Sequence, residues 1–593
     1  MPLIVQKFGG TSVADPVKIL AAARKAIRAQ NEGNQVVMVV SAMGHHTDEL
    51  IELAKQVNER PSAREMDMLL ATGEQVSVSL MAMAIASLGY DAVSLTGAQL
   101  GIRTDSSHGK ARIKSIDDRR VREYLDGGNI VIAAGFQGID ENFNITTLGR
   151  GGSDTTAVAL AAALHADACE IYTDVDGVYT TDPRALPEAR RTVQVSYDEM
   201  LELASLGAGV MHNRAVEFGK KYRVPIHVRS SFSDITGTMI VDRPESEKRT
   251  VSGAAITRNE ARITLYDLPD VPGTLYTIFD RLFEAGLTID MIVQDIGEKG
   301  LADISFTVPR DELDDALDTV NEVAEEVGIS LISHDPDVSK VSVVGLGMAQ
   351  ASGVADRMFR ALSDAGINIQ MITTSEIKIS VLVQRDQALD ALRAVHEAFQ
   401  LDETPDDAPE EATIPPRANG ADLDEILKRL RLDMEGLTIY DISLDSSQGR
   451  VTIDGVPHTP GVAADIFDEL ARDDIFIDMI VQSHIEDDKT CLSFTIPSEE
   501  YDDAWNVAKK LVDKNLCREV DGARQVAKLL VSGIGLHSHT EVAERMFRAL
   551  GEAGINIQMV STSEVRVNVV VDGSQGEQAL KLLKEAFADV MPK

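Results

Sequence analysis

The second half of this chain is written twice, and that duplication limits what it can fold into more than any other feature. Val271-Pro272-Gly273 recurs as Thr459-Pro460-Gly461, Ile289-Asp290-Met291-Ile292-Val293-Gln294 as Ile477-Asp478-Met479-Ile480-Val481-Gln482, and Arg357-Met358-Phe359-Arg360-Ala361-Leu362 as Arg545-Met546-Phe547-Arg548-Ala549-Leu550. Each later segment follows its earlier partner by the same 188 residues, so the copies align without a gap. Inside each copy the pattern runs strand, Pro-Gly-type turn, amphipathic helix, two strands, helix, strand, and it occurs twice. That βαββαβ order is ferredoxin-like. It predicts four units, over residues 260–335, 336–400, 448–523 and 524–593. Between the second and third lies an acidic stretch, 401–435, holding Pro405, Pro409, Pro415 and Pro416, which reads as an exposed linker.

The first half, 1–245, reads as a separate α/β unit, as expected for a chain of 593 residues that exceeds what one core can organise. Its most telling stretch is Thr146-Thr147-Leu148-Gly149-Arg150-Gly151-Gly152-Ser153-Asp154-Thr155-Thr156. An apolar run, Ile130 to Gly138, reads as the buried strand before it, and the alanine-rich Ala157 to Leu164 as the helix after it. Glycines there let the backbone bend so that amides can point at a ligand. The hydroxyls of Ser153, Thr155 and Thr156 and the Asp154 carboxylate crowd the first turn, where unpaired N–H groups and the positive helix end favour an anion. A capped helix after a flexible turn would use the same residue types.

A second strand-to-glycine junction opens the chain. Leu3 to Phe8 runs into Gly9-Gly10-Thr11-Ser12 and then a helix from Pro16 to Ala29. Lys7 at that strand's end would set an ammonium beside whatever the glycine amides hold, which suits a transferring phosphoryl group. Gln35 to Val40 is wholly apolar after its first residue, as in a parallel strand covered on both faces, and Ser41 and Thr47 follow at the rim where ligands sit. Glu74 is read as preceding a helix from Val76 to Leu88, at a dipole end that favours its charge.

Several classes are excluded. G-x-x-x-x-G-K-[ST] and G-x-G-x-x-G are both absent, so neither a P-loop nor a Rossmann enzyme is supported. Asp174, Asp176 and Asp182 crowd one loop, but the glycine follows the second aspartate and no glutamate closes a twelve-residue loop as in an EF-hand. A net charge of −38 disfavours nucleic acid and anionic membrane as partners. Cys169, Cys491 and Cys517 have no metal or disulfide spacing, which fits a reducing compartment. The N-terminus enters a strand directly and no apolar run is expected to reach membrane-spanning length, so a cytoplasmic protein is expected.

Lys7-Phe8-Gly9-Gly10-Thr11-Ser12 together with Thr147 to Asp154 resembles the signature pair of the aspartate kinases, members of the amino-acid kinase fold. The likeness continues through Ser41-Ala42-Met43-Gly44, Gly73-Glu74-Gln75, Gly135-Phe136-Gln137-Gly138 and Tyr172 to Arg184, and the repeat units resemble ACT domains, which bind amino acids at domain interfaces. The resemblance implies an α/β protein, a three-layer αβα kinase fold with a mainly parallel sheet, followed by four ACT units. It implies ATP-dependent phosphorylation of the side-chain carboxylate of L-aspartate to 4-phospho-L-aspartate, with Mg²⁺, at the start of lysine, threonine and methionine biosynthesis. L-Lysine, L-threonine or both would be feedback effectors, and a homo-oligomer would form through ACT pairing.

By the same resemblance Lys7 and Asp154 are catalytic. Ser41, Thr47, Glu74, Arg150, Gly151, Gly152 and Ser153 bind aspartate, Glu74 taking the α-ammonium and Arg150 a carboxylate, a division that suits a substrate with one amine and two acids. Lys7, Phe8, Gly9, Gly10, Thr173, Asp174, Tyr179, Asp182 and Arg184 surround ATP. Gly209 stands where some aspartate kinases carry a nucleotide-contacting lysine, with Lys220 and Lys221 as nearby candidates for that contact. Effector contacts fall on Thr274, Asp290, Gln294, Asn368, Ile369, Ser375 and Glu376, and on Asp478, Gln482, Asn556, Ile557, Ser563 and Glu564. Gln370 and Gln558 extend the polar set that both copies keep. No resident metal-ligand set is implied. Relatives acting on acetylglutamate, glutamate, carbamate or UMP fit Glu74, Arg150 and the repeats less well, and a silent amino-acid sensor would not need Lys7 and Asp154.

Overall fold

The computed structural model describes residues 1–591 apart from 207–209, 245–248, 297–299, 352, 405–432, 486–488, 514–516 and 537–540. Gly209 and most of the expected linker thus lie outside the described residues.

An eight-stranded sheet organises the first half, in the order Gln194–Ser196, Thr238–Val241, Ile226–Ser230, Ala168–Thr173, Leu3–Phe8, Gln35–Val40, Ile130–Ala134, Ala92–Leu95. Neighbours are parallel except Ile226–Ser230 against Thr238–Val241. Alternation along each strand sends Val37 and Val39 to a core under the helices Gly152–Ala163 and Asn213–Tyr222. Val36, Met38 and Val40 go to a second core under Pro16–Asn31 and Ala63–Ser87. Strands apolar on both faces therefore sit between two helical layers, as a parallel sheet requires.

Two elements differ from the sequence reading. The strand from Ile130 ends at Ala134, not Gly138, because Phe136 turns the chain with φ 68° into a separate small sheet of Ile113–Ile116, Ile102–Thr104, Gln137–Ile139 and Ile145–Thr147. The helix expected from Val76 begins at Ala63 and spans 25 residues, which places Glu74 mid-helix, away from any dipole end. This helix is also long and apolar enough by composition to cross a membrane, contrary to the sequence expectation. Its inner face, with Ala71, Val78, Met81 and Ile85, packs on the rest of the kinase-like unit, and two of its three acids, Asp67 and Glu74, are buried.

The repeats build one twelve-stranded antiparallel sheet. The strand Gly253–Pro269 runs through two units. Glu260–Pro269 belongs to the first unit, whereas Gly253–Thr257 pairs with Val344–Lys340 and completes the second. Likewise Thr438–Asp445 pairs with Ile534–Lys528 and completes the fourth unit, before the chain enters the third. The fourth strand of units two and four therefore comes from upstream, not from their own C-terminal ends. Across units, Met371–Ser375 of the second is hydrogen-bonded to Ile480–Ile485 of the third. Asp290–Ile296 of the first lies against Ile557–Thr562 of the fourth. Met291, Met371, Met479 and Met559, one from each unit, meet in the apolar cluster at the centre. These unit-to-unit pairings lie within one chain.

The end of the expected linker is not free. Met434 is buried in the first core, its amide donates to the Lys114 carbonyl at 3.0 Å, and the Tyr222 hydroxyl donates to the Met434 carbonyl at 2.8 Å.

Candidate active site

The C-terminal ends of Leu3–Phe8, Gln35–Val40 and Ile130–Ala134 open onto a cleft of about 840 Å³. Lys7, Gly9, Gly10, Ser41, Thr47, Glu74, Arg150, Gly151, Gly152, Ser153 and Asp154 all line it. At its floor Lys7 Nζ is 2.6 Å from Asp154 Oδ1, both side chains nearly buried. Asp154 sits in the first turn of Gly152–Ala163, whose N-cap, Gly151, has φ 67° and no capping side chain. A left-handed backbone of this kind favours glycine, and a Cβ on Gly151 would stand 2.2 Å from that of His212. The Gly152 amide donates to the Gly149 carbonyl at 3.0 Å, and the positive end of the helix beyond it favours an anion.

The hydroxyls expected in this cradle divide. Ser153 lines the cleft, but Thr155 donates to the Gly151 carbonyl at 3.2 Å, and Thr156 donates to that of Gly152 at 2.7 Å while accepting the Phe136 amide at 3.1 Å, so both serve the fold. Glu74 Oε1 accepts the Ala42 amide at 3.0 Å, while Oε2 is buried without a hydrogen-bond partner. Burial pushes this carboxyl up to about 7. A buried acceptor facing a cleft is where a ligand donor gains most. Arg150 also lines the cleft and is exposed.

The expected nucleotide loop stands beside this cleft, and none of Thr173, Asp174, Tyr179, Asp182 and Arg184 lines it. Tyr179 Oη donates to Asp176 at 2.6 Å, and Arg184 forms a two-nitrogen fork on Asp182 at 2.9–3.2 Å. The Phe8 ring stacks on Tyr172 at 4.7 Å inside the core, so only its backbone is available to a ligand. Lys220 is tied to Asp198, and the buried Lys221 donates to the Gly436 carbonyl at 2.9 Å. Neither lines the cleft.

Ten of the thirteen expected effector residues line three spaces. Thr274, Gln294, Asn556 and Ile557 line a narrow cleft between units one and four, where Asn556 donates to Asp270 at 2.8 Å. Asn368, Ile369 and Gln482 line its counterpart between units two and three, where His458 takes the place of Asp270. Ser375, Glu376 and Asp478 line a separate cavity of about 450 Å³. Asp290 instead joins Glu260 on Lys340, an ion cluster that ties unit one to the strand of unit two. Gln370 and Gln558 line none of these three spaces. Glu564 meets the first half, its carboxylate accepting from Asn213 at 3.0 Å and its amide donating to Glu202 at 3.1 Å, and Ser563 is its neighbour in that turn. Three groups that sequence reasoning missed are Asp67 in the cleft, Arg214 and Glu435. Each acts through partners far away in the chain, so no local pattern marks them.

This cleft on this fold defines a small-molecule kinase of the amino-acid kinase type. The amino acid kinase family profile matches residues 2–230, and the ACT domain profile matches 341–399, 451–511 and 529–587. The aspartokinase of Pseudomonas aeruginosa is 51% identical over 405 residues, 68% of this chain and 98% of that one. The structure of aspartate kinase from Synechocystis is 38% identical with TM-score 0.53, covering 100% of this chain and 99% of that one. Aspartokinase III of E. coli, solved with aspartate and ADP, is 25% identical with TM-score 0.56 over 67% of this chain and 99% of that one; it has also been solved with lysine and aspartate. The chain belongs to the aspartate kinase family, and its activity is ATP-dependent phosphorylation of aspartate.

Proposed function

We propose that the lined cleft holds aspartate between Glu74 and Arg150, with the transferring phosphoryl group at Lys7. The observation that carries this is the Lys7–Asp154 pair at an uncapped helix end, in one cleft with the unpartnered Glu74 Oε2. The substrate carboxylate is already a nucleophile, so no general base is needed and catalysis reduces to alignment and charge neutralisation. Glu74 takes the α-ammonium and Arg150 a carboxylate. Lys7 and the amides around Gly9, Gly10 and Gly152 hold negative charge as it shifts towards the leaving oxygen, and Asp154 keeps the ammonium aimed there. A carboxylate beside phosphates also suits Mg²⁺, which is bound through one or two carboxylates plus phosphate oxygens. Asp154 would hold it, and the ion would neutralise phosphate charge. The loop Thr173 to Arg184 takes the rest of the nucleotide.

Feedback control by L-lysine, L-threonine or both acts through the repeat units, residues 260–335 serving as a fourth unit of the same element order. The two small clefts enclose only about 10 and 20 Å³ here, so a ligand must open them, and it shifts the enzyme by its preference for the open arrangement. Asp270 in one and His458 in the other make them unequal in charge. Placement in lysine, threonine and methionine biosynthesis and a cytoplasmic location follow from that reading. Incubation with ATP, Mg²⁺ and hydroxylamine tests the chemistry: aspartyl hydroxamate forms with aspartate and not with glutamate, and hydroxamate from neither would overturn it.

A further inference from the structure

One more carboxylate reaches the cleft. Asp67, in the helix Ala63–Ser87, is fully buried and lines it. His108 Nδ1 lies 2.7 Å from Asp67 Oδ2, the Gly109 amide donates to both oxygens at 3.0 and 3.2 Å, and the Thr147 hydroxyl donates to Oδ1 at 2.5 Å. A buried carboxylate needs donors of this kind. These donors also clamp the His108-Gly109 turn to the end of the strand Ile145–Thr147, two residues before Gly149. There a Cβ on Gly149, at φ 78°, would stand 2.9 Å from the Gly109 carbonyl oxygen, and Arg150 follows.

Asp67 and Glu74 are seven residues apart on one helix, two turns and ~10 Å along its axis, and face the same cleft. A single rigid element therefore carries both the group for the substrate amine and the group that sets the loop for the substrate acid. We infer that Asp67 is a positioning residue that, through His108, Gly109 and Thr147, fixes the span between Glu74 and Arg150. It thereby sets the preference for aspartate over glutamate, which is one methylene longer. This rests on the reading of Glu74 and Arg150 given above.

The test compares Asp67→Asn, Thr147→Val and Arg150→Lys, measuring kcat and KM for aspartate, glutamate and ATP alongside thermal unfolding. Asp67→Asn is expected to lower kcat/KM for aspartate about tenfold or more and that for glutamate less, within the range one methylene discriminates. The aspartate-to-glutamate ratio narrows while the KM for ATP stays put. Thr147→Val, which deletes one hydroxyl at nearly constant shape, moves the ratio the same way by less and keeps the question open to measurement if Asp67→Asn does not fold. A wild-type ratio in Thr147→Val and in folded Asp67→Asn, with aspartate KM raised in Arg150→Lys, overturns the inference alone. An unchanged aspartate KM in Arg150→Lys overturns the reading of the cleft beneath it.

Discussion

Arg214 grips Glu435. The guanidinium Nε pairs with that carboxylate while its terminal nitrogens reach the carbonyls of Leu148 and, at 2.8 Å, Ala111. Glu435 also accepts the Ile113 amide at 2.7 Å. The residue just before the Gly149-Arg150-Gly151 turn is thus tied to the segment that leads into units three and four. Removing one partner of a buried pair leaves the other charge uncompensated, at a cost of about 3 kcal/mol or more. Glu435→Ala should therefore lower thermal stability and raise the KM for aspartate with little change for ATP. Steady-state kinetics beside a melting curve would show it, and unaltered aspartate kinetics would make the contact purely structural.

Lys7→Ala should act on turnover more than on aspartate affinity. Its ammonium matters most when charge moves in the transition state, so by analogy with an oxyanion donor kcat should fall by about 3–4 kcal/mol, several hundredfold. Asp154→Asn should fall in the same direction by releasing the lysine from its 2.6 Å partner. Near-normal turnover in Lys7→Ala would remove the group from the chemistry.

Glu74 gives the enzyme a pH dependence near neutrality. Its folded value, about 7, lies above the ordinary 4.5 because burial disfavours the charge. The protonated form is the one burial favours, so its stabilising effect is fully present below about 4.5 and lost as pH rises through about 7. The difference is about 3 kcal/mol by the usual conversion. Aspartate binding runs the other way, since an ammonium needs the carboxylate. The KM for aspartate should climb as pH falls below about 7, and Glu74→Gln should abolish that slope while raising the melting temperature at pH 8. A flat KM profile in the wild type between pH 6 and 8 would contradict this.

A chain ending at Asp422 should dimerise. It loses Ile480–Ile485 and Ile557–Thr562, the partners of Met371–Ser375 and Asp290–Ile296, and with them half of the central methionine cluster. Two shortened copies can restore both by pairing head to tail, and bare apolar strand edges favour it. Sedimentation of the shortened enzyme reads this out, and a stable monomer with the full effector response would show units three and four to be packing only.

Lys7, Asp154 and the glycines around them were legible because strand end, turn and helix start are local patterns. Glu74 was legible as a cleft residue but misplaced in the fold. Gly73 looks like a helix boundary, yet it lies inside the helix because a Cβ there would stand 2.8 Å from that of Ala42. Asp67 could not be found, since its three donors lie 41, 42 and 80 residues away. The repeat showed the element order and hid the strand exchange, because Gly253–Pro269 reads as one strand while pairing on two sides.

That exchange makes unit one an insertion inside unit two, entered after Thr257 and left before Lys340, two residues that face each other across the sheet. The tether leaving the catalytic half is therefore spliced into the far member of the pair. On its way it passes the loop Thr173 to Arg184: the Ala254 amide donates to the Thr180 carbonyl at 2.7 Å, and His396 of unit two lies 3.0 Å from the Thr180 hydroxyl. A rocking of unit two would pull on this loop as a lever pulls on its pivot, whereas unit one could be excised by a short turn from Thr257 to Lys340 without severing that mechanical line.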